Sequence, residues 1–203
     1  MKRMKTMIPI IITLLLSGCI TESPIIVDDD DGPGGGDTTT PPPVTSPGTY
    51  YYVATDGNDK NPGTLNQPWA SWQKAFSKAA AGDTVFIRGG NYLATKEDEF
   101  GVFVENRSGT YGAPICIFAF PGEYPVLDCS QMNKSVSQYG ILLKNCRYIH
   151  LKGLTVTGVK QNTSDVESNG IGIEDSRGII FEQCASHGNG GPGFFAFQSD
   201  TVY

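Results

Sequence analysis

The stretch Gly140-Ile141-Leu142-Leu143, followed by Arg147, Ile149-His150-Leu151, Leu154 and Val156, decides the fold. The same frame returns 30 residues later as Gly170-Ile171-Gly172-Ile173, Arg177, Ile179-Ile180-Phe181 and Cys184, and again after 23 more at Gly193-Phe194-Phe195-Ala196. Short apolar alternations that recur at this spacing are typical of a solenoid of stacked β-coils. The sequence therefore predicts an all-β fold, a right-handed parallel β-helix. We expect it to be C-terminally truncated, because the third copy stops at Tyr203 in mid-strand.

One helix is predicted before the coils. Ser71 is a suitable N-cap, and Trp72, Ala75, Phe76 and Ala79 fall on one face of the helix that follows it. An amphipathic helix in front of a β-solenoid is expected to cover the first coil, whose backbone edge would otherwise be open to association. Residues 50–203 are thus predicted to form the N-terminal cap and the first coils.

Residues 1–18 have the features of a secretory signal peptide. Three basic residues precede the apolar run Met7–Leu16, and the small residues Ser17-Gly18 lead into Cys19. The order Leu16-Ser17-Gly18-Cys19 resembles the bacterial lipobox, which implies cleavage before Cys19 and its lipidation. The alternative is an ordinary signal peptide with an incidental cysteine. We predict a protein that is exported and lipid-anchored to the outer membrane, on the cell surface.

Residues 19–49 are predicted to be a linker that starts at the lipidated cysteine. The segment contains an acidic run, Asp28–Asp31, then a glycine-rich stretch and the triplet Pro41–Pro43, and none of these can bury a core. The acidic run lacks the turn-forming spacing of a calcium loop, so it is interpreted as a solvated spacer.

The charge of the chain limits its expected partners. The formal net charge of the chain is −6, and residues 50–203 hold 12 basic and 15 acidic residues without a basic stripe, so nucleic acid is not expected as a partner.

Cys116 and Cys184 fall at apolar strand positions and are predicted to be small buried residues. A Cys129–Cys146 disulfide stays open at this stage, since export permits disulfides.

A resemblance to a known family rests on one block of residues. It comprises Tyr51-Tyr52-Val53-Ala54-Thr55-Asp56-Gly57-Asn58-Asp59, Pro62-Gly63-Thr64, Gly82-Asp83-Thr84-Val85 and Arg88-Gly89-Gly90-Asn91-Tyr92, with Tyr124-Pro125-Val126-Leu127-Asp128 further on. This block resembles the N-terminal cap of family 9 pectate lyases and related polysaccharide lyases. The resemblance implies calcium-assisted β-elimination on an acidic, pectate-like polysaccharide.

The resemblance assigns no catalytic residue to this chain. A calcium-binding Asp of the family belongs to a turn reading Asn-Gly-Asp-x-Gly, and Asn189-Gly190-Gly191-Pro192-Gly193 fits that frame with Gly191 in the place of the acid. The other acids of the cluster and the catalytic base belong further along the chain than Tyr203. The 203 residues alone are therefore expected to be inactive, with calcium a cofactor of the complete protein only.

Other charged residues are weaker candidates, because such residues on a solenoid are usually solvated. His150 alternates with Ile149 and Leu151 and is predicted to point outward, while His187 is predicted to lie in a turn, both as surface residues. Asn106 and Asn145 are assigned to equivalent left-handed turn positions. The remaining candidates on the coils and on the insertion 159–169 are Lys144, Lys152, Lys160, Arg177, Asp165, Glu167, Glu174, Asp175 and Asp200.

Two rival functions stay open. The first is a non-catalytic glycan-binding or structural β-helix, which exposed aromatic side chains on one face, with no convergent carboxylates further along the chain, would favour. The second is a β-helix glycoside hydrolase, which would present a pair of acids across a cleft. Fold alone does not decide between them.

Overall fold

A computed structural model describes residues 48–95, 98–132, 136–161 and 168–202. The signal peptide, Cys19 and nearly all of the linker lie outside these residues. The described part contains one helix, α1 (Trp72–Lys78), and fourteen strands. The strands are β1 (Tyr50–Val53), β2 (Thr84–Ile87), β3 (Gly90–Leu93), β4 (Phe100–Glu105), β5 (Ile115–Ala119), β6 (Pro125–Asp128), β7 (Gln138–Lys144), β8 (Arg147–Lys152), β9 (Thr155–Thr157), β10 (Ser168–Glu174), β11 (Arg177–Glu182), β12 (Ala185–His187), β13 (Phe194–Phe197) and β14 (Asp200–Val202).

The strands form three parallel sheets that the chain visits in turn. Sheet 1 has the order β1-β2-β5-β8-β11-β14, sheet 2 the order β4-β7-β10-β13 and sheet 3 the order β3-β6-β9-β12. Each circuit passes from sheet 2 to sheet 1 to sheet 3, so each strand pairs with its counterpart one coil away. This is the parallel β-helix that the sequence predicts.

The strand register confirms the internal repeats. Ile141 pairs with Ile171, which pairs in turn with Phe194, so the offsets of 30 and 23 residues are also the offsets between hydrogen-bonded coils. The earlier coil follows the same rule, because Val102 pairs with Ile141. The apolar alternation in the sequence is therefore the alternation between the inside and the outside of the solenoid.

The core is a stack of side chains from equivalent strand positions. In sheet 1, Val85, Ile117 and Leu151 pair successively and are completely buried. In sheet 3, the inward side chains of Leu127 and Val156 are similarly enclosed. Burial of each such side chain contributes about 1.5–3 kcal/mol to folding.

The corners of the coil differ in length. From sheet 2 to sheet 1 the later coils turn through two residues, for example Asn145-Cys146 between β7 and β8. From sheet 3 to sheet 2 the connections are longer and unequal, with residues 129–137, 158–167 and 188–193 in successive coils. Asn106 and Asn145 have positive φ angles of 58° and 47°, which confirms their predicted left-handed conformation. The Asn145 amide also donates to Asn106 Oδ1 at 2.5 Å.

Helix α1 covers the start of the solenoid, as predicted. Trp72, Ala75 and Phe76 are buried in the common core, and the helix packs against β1 and β4. Ser71 is the N-cap, and its Oγ accepts a hydrogen bond from Lys74 N at 3.1 Å. The same hydroxyl donates to Asp59 Oδ2 at 2.6 Å, which ties the cap to the preceding loop. No helix within the described ranges has the length and apolarity needed to cross a membrane.

The cysteines of the coils are free thiols. Cys116, Cys129 and Cys146 are buried and Cys184 is half-buried, so the structure contains no Cys129–Cys146 disulfide. Burial raises the pKa of Cys129 to about 12, and it also raises the pKa of Cys146 and Cys184. Enclosed thiols of this kind are slow to react, because the thiolate is the reactive form.

Replacement of the helix cap should cost stability. We expect Ser71→Ala to lower the free energy of unfolding by about 1–2 kcal/mol, because Lys74 N and Asp59 both lose a partner. Denaturant titration followed by circular dichroism measures the change. Ser77→Ala is the matched control, since Ser77 is an exposed serine of the same helix whose hydroxyl donates to Lys74 O within that helix. Equal stability of Ser71→Ala and Ser77→Ala would contradict the role of Ser71.

Candidate functional site

The outer surface of sheet 3 is the candidate site. Because Leu127 and Val156 point inward, the alternating side chains of the same strands point outward. One row consists of Leu93, Asp128, Thr157 and His187, which pair in that order along four coils. A second row consists of Asn91, Val126, Thr155 and Ala185. We call these two rows the sheet-3 face.

Asp128 is the charged group at the centre of the sheet-3 face. Its Oδ1 accepts a hydrogen bond from Ser130 N at 2.9 Å, and its Oδ2 accepts one from Asn91 Nδ2 at 3.3 Å. The hydrogen bond from the Ser130 backbone N–H makes the largest contribution to lowering the pKa of Asp128. The Ser130 side chain, Asn91 and the nearby positive charge of Lys160 lower this pKa further. The carboxylate therefore stays ionised at neutral pH and is a weak base.

His187 lies on the same face. The sequence placed it in a turn, which is wrong, because His187 is the last residue of β12. Its Nδ1 lies 3.4 Å from Thr157 Oγ1 in the adjacent coil, and its side chain is exposed, as predicted. Together with Asn91, these groups can donate to and accept from the hydroxyls of a bound polar ligand.

The turn from Asn189 to Gly193 borders the sheet-3 face and is held by several hydrogen bonds. Asn189 Oδ1 accepts from Val159 N at 3.1 Å, and Asn189 Nδ2 donates to Ser186 Oγ at 3.0 Å. In the backbone, Gly191 N donates to Ser168 O at 2.8 Å. This turn is therefore fixed to the strands on both sides of it.

The position of Gly191 tests whether the turn fits a calcium site. A Cβ atom at this residue would lie 2.8 Å from Ser168 O, a distance that side chains do not tolerate, so an acid here would force the backbone to move. Within the described ranges, no three His, Cys, Asp or Glu side chains are close enough together to hold a metal ion. The described residues therefore do not form the calcium site that the family resemblance implies.

A buried polar group lies beneath this turn. Asn169 is completely buried, and neither its Nδ2 nor its Oδ1 has a hydrogen-bond partner among the described residues. The Oδ1 atom would lie 3.2 Å from a Cβ atom at Gly191, so the amide is directly under the turn. The predicted candidates Asp165 and Glu167 immediately precede this strand but lie outside the described residues.

Most of the other predicted charged candidates form ion pairs between neighbouring coils. Lys144 Nζ lies 3.5 Å from Glu174, Lys152 Nζ lies 2.6 Å from Glu182, and Arg177 Nε lies 3.6 Å from Asp200. None of these pairs belongs to sheet 3. Asp175 occupies the left-handed corner position equivalent to Asn145, with φ of 49°. These residues are part of the scaffold, while Lys160 alone of the predicted basic residues lies near Asp128.

The prediction for His150 is only half right. The residue does point to the outside of sheet 1, but its side chain is 4% exposed rather than on the surface. The Phe118 ring packs edge-on against the imidazole at a centroid distance of 4.9 Å, and Nε2 lies 3.1 Å from Glu182 Oε2. Both covering side chains come from neighbouring coils, which explains why a local alternation pattern missed the burial.

A family model described as Pel9A-like, right handed beta helix region, matches residues 51–202. The chain therefore belongs to the Pel9A-like right-handed β-helix family, and the predicted fold and resemblance are confirmed. Pectate lyase PEL9 of Emericella nidulans is 36% identical over 81 residues, which cover 40% of this chain and 18% of that protein. Pectate lyase L of Paenibacillus polymyxa is 32% identical over 111 residues, or 55% of this chain and 24% of that protein.

A solved structure shows the same architecture. The crystal structure of pectate lyase Pel9A matches with a TM-score of 0.58 and 28% identity, over 73% of this chain and 36% of that one. The chain thus spans about a third or less of the length of each of these three relatives. The similarity covers the cap and the coils described above.

An acid introduced at Gly191 should destabilise the turn without creating a calcium site. We expect Gly191→Asp to lower the free energy of unfolding by roughly 1–3 kcal/mol, because the new side chain meets Ser168 O. Thermal unfolding with and without calcium chloride measures this. Gly112→Asp is the control, since a Cβ atom there meets nothing within 4 Å. Stabilisation of Gly191→Asp by calcium, absent from the control, would contradict our interpretation.

Proposed function

We propose that this chain is the N-terminal part of a polysaccharide lyase that cleaves an acidic, pectate-like glycan by β-elimination. The observation that carries the proposal is the family match over residues 51–202. A pectate lyase that is 36% identical over 81 residues and the Pel9A structure, with a TM-score of 0.58, support it. The polar sheet-3 face beside the Gly191 turn is the surface on which we place the glycan.

A β-elimination reaction requires particular catalytic groups, which the complete protein must supply. The proton next to the uronate carboxylate is weakly acidic, so its removal needs a positioned base and a cation that neutralises the developing charge. Asp128 is a poor base, because its pKa is lowered, in part by the nearby positive charge of Lys160. We infer that the base and the calcium ligands belong to residues outside the described ranges.

The described residues would bind the glycan rather than break it. Asn91, Thr155 and Thr157 present amide and hydroxyl groups in two rows, and successive positions within a row are separated by about 4.8 Å, the spacing of paired strands. His187 adds a further polar group at the end of one row. A glycan chain lying along the solenoid axis could contact one such group at each coil.

A non-catalytic glycan-binding β-helix is the second candidate. One observation favours it, namely that glycine stands where the family resemblance expects an acid and that Ser168 O leaves no room for a side chain there. The two candidates agree on the ligand and differ on turnover, so an activity measurement on the native protein distinguishes them.

The native protein should be larger than the 21.8 kDa of the 203-residue chain and should cleave polygalacturonate. Antibodies against the described coils would isolate it from the source cells, with a deletion strain as control. We expect an unsaturated, ultraviolet-absorbing product that disappears with EDTA and returns with calcium, while the 203-residue chain gives none. A native species near 21.8 kDa that binds the glycan without turnover would refute the lyase and support the second candidate.

We further propose that the protein is exported and held at the outer membrane by lipid on Cys19. The basic residues, apolar run and Leu16-Ser17-Gly18-Cys19 order of the N-terminus support this. Cys19→Ser should abolish incorporation of a labelled fatty acid and release the protein from the membrane fraction. Cys184→Ser, which changes a thiol of the coils, is the control. Unchanged labelling of Cys19→Ser would disprove lipidation at this residue.

A further inference from the structure

The outer face of sheet 1 carries a cluster of aromatic rings, distinct from the sheet-3 face. Alternation along β1, β2 and β5 turns four rings outward, and Phe120, just after β5, adds a fifth. Three of the rings lie in direct register across neighbouring strands, Tyr52 with Phe86 and Phe86 with Phe118. We call the cluster the aromatic face; its members are Tyr50, Tyr52, Phe86, Phe118 and Phe120.

The rings of the aromatic face form one continuous surface. Phe86 stacks with Tyr50 at a centroid distance of 6.0 Å and with Tyr52 at 5.9 Å. The Phe118 and Phe120 rings meet Phe86 edge-on at 6.5 Å and 6.0 Å. Offset-stacked and edge-on pairs at these separations are mutually stabilising, so the face is preformed rather than assembled by a ligand.

Charged groups on this face are already paired. The Arg88 guanidinium lies over the Phe120 ring, 4.6 Å from its centroid, and is bonded to Glu123 at 2.8 to 3.0 Å. This contact lowers the pKa of Glu123, so the pair is ionised at neutral pH. On the next coils, Lys152 Nζ contacts Glu182 at 2.6 Å. The face therefore offers no unpaired charge from these four residues to an acidic ligand.

The aromatic face remains accessible in the described structure. The Tyr50 side chain is 42% exposed and the other four rings are half-buried. The phenol hydroxyls of Tyr50 and Tyr52 donate to none of the described residues, whereas the buried Tyr92 hydroxyl donates to Arg88 O at 2.8 Å. Apolar patches that are rimmed by polar groups are a feature of binding surfaces.

We propose that the aromatic face binds a neutral glycan chain by stacking against its sugar rings. The C–H groups of a pyranose carry small positive charges that are attracted to aromatic faces and edges of suitable orientation, and its hydroxyls can bond to the free phenols. The internal pairing of Arg88 and Lys152 disfavours a polyanion. This surface does not depend on the lyase activity proposed above, and it would hold the protein on uncharged polysaccharide.

Affinity electrophoresis of the full chain in gels containing soluble β-1,4-galactan tests the proposal. Polygalacturonate gels serve as the acidic comparison. We expect galactan to retard the protein, and we expect the double variant Tyr50→Ala/Tyr52→Ala to bind it about tenfold more weakly, because two stacking contacts are lost. Tyr124→Ala is the matched control, since Tyr124 is 82% exposed and belongs to the corner between sheets 1 and 3.

Three results would overturn the proposal. The first is migration unaffected by galactan, and the second is an equal loss of binding in Tyr124→Ala and in the double variant. The third is a dimer on size-exclusion chromatography that the double variant converts to a monomer, which would make the aromatic face a contact between copies of this chain. An unchanged far-ultraviolet circular dichroism spectrum of the double variant shows that the fold is retained. Lyase activity, measured separately on the native protein, is unaffected by any of these outcomes.

Discussion

The register between successive coils is the constraint on which the rest of this structure depends. Side chains alternate between the core and the outside, so a slip of one residue in any strand would exchange the two sets. The two-residue corners from sheet 2 to sheet 1 prevent such a slip, because each places a residue in the left-handed region, with φ of 47° at Asn145, 49° at Asp175 and 46° at Gln198. Behind these corners Cys146 N donates to Ser176 Oγ at 2.9 Å, which joins one coil to the next.

Because the register is fixed, the same kinds of side chain point outward along each sheet, and the outer faces of the sheets differ in chemistry. Sheet 3 presents amide, hydroxyl, carboxylate and imidazole groups beside the apolar side chains of Leu93, Val126 and Ala185, and Ser130 and Asn91 keep Asp128 ionised. Sheet 1 presents aromatic rings over its first strands and ion pairs over the later ones. The same backbone repeat therefore supports two surfaces that differ in polarity.

Much of this fold could be predicted from the sequence, because it is encoded in local patterns. The 30- and 23-residue offsets gave the strand pairing, and the Ser71 cap and apolar helix face gave α1. Asn106 and Asn145 were assigned to left-handed corners from their equivalent places in the repeat. In each case the information lies within one coil or in the comparison of two copies.

The site was harder to predict, because it is formed between coils. Strands β9 and β12 have three residues each, too few to show an alternation, so the row containing Asp128, Thr157 and His187 could not be recognised. The burial of His150 depends on Phe118 and Glu182, both about 32 residues away in sequence. The crowding at Gly191 likewise comes from Ser168 in the preceding coil. The sequence shows that the motif lacks its acid, and the folded chain shows that Ser168 O leaves no room for a side chain at this position.

The unequal corner lengths indicate which connections of this protein tolerate insertions and deletions and which do not. The connection from sheet 3 to sheet 2 varies between residues 129–137, 158–167 and 188–193, while Asn145-Cys146 and its equivalents keep two residues. Insertions and deletions at the variable corner leave the strand spacing intact, and this corner borders the polar sheet-3 face. Evolution can therefore diversify the loops beside the sheet-3 face while the scaffold is inherited unchanged, much as antibody loops diversify on a constant framework.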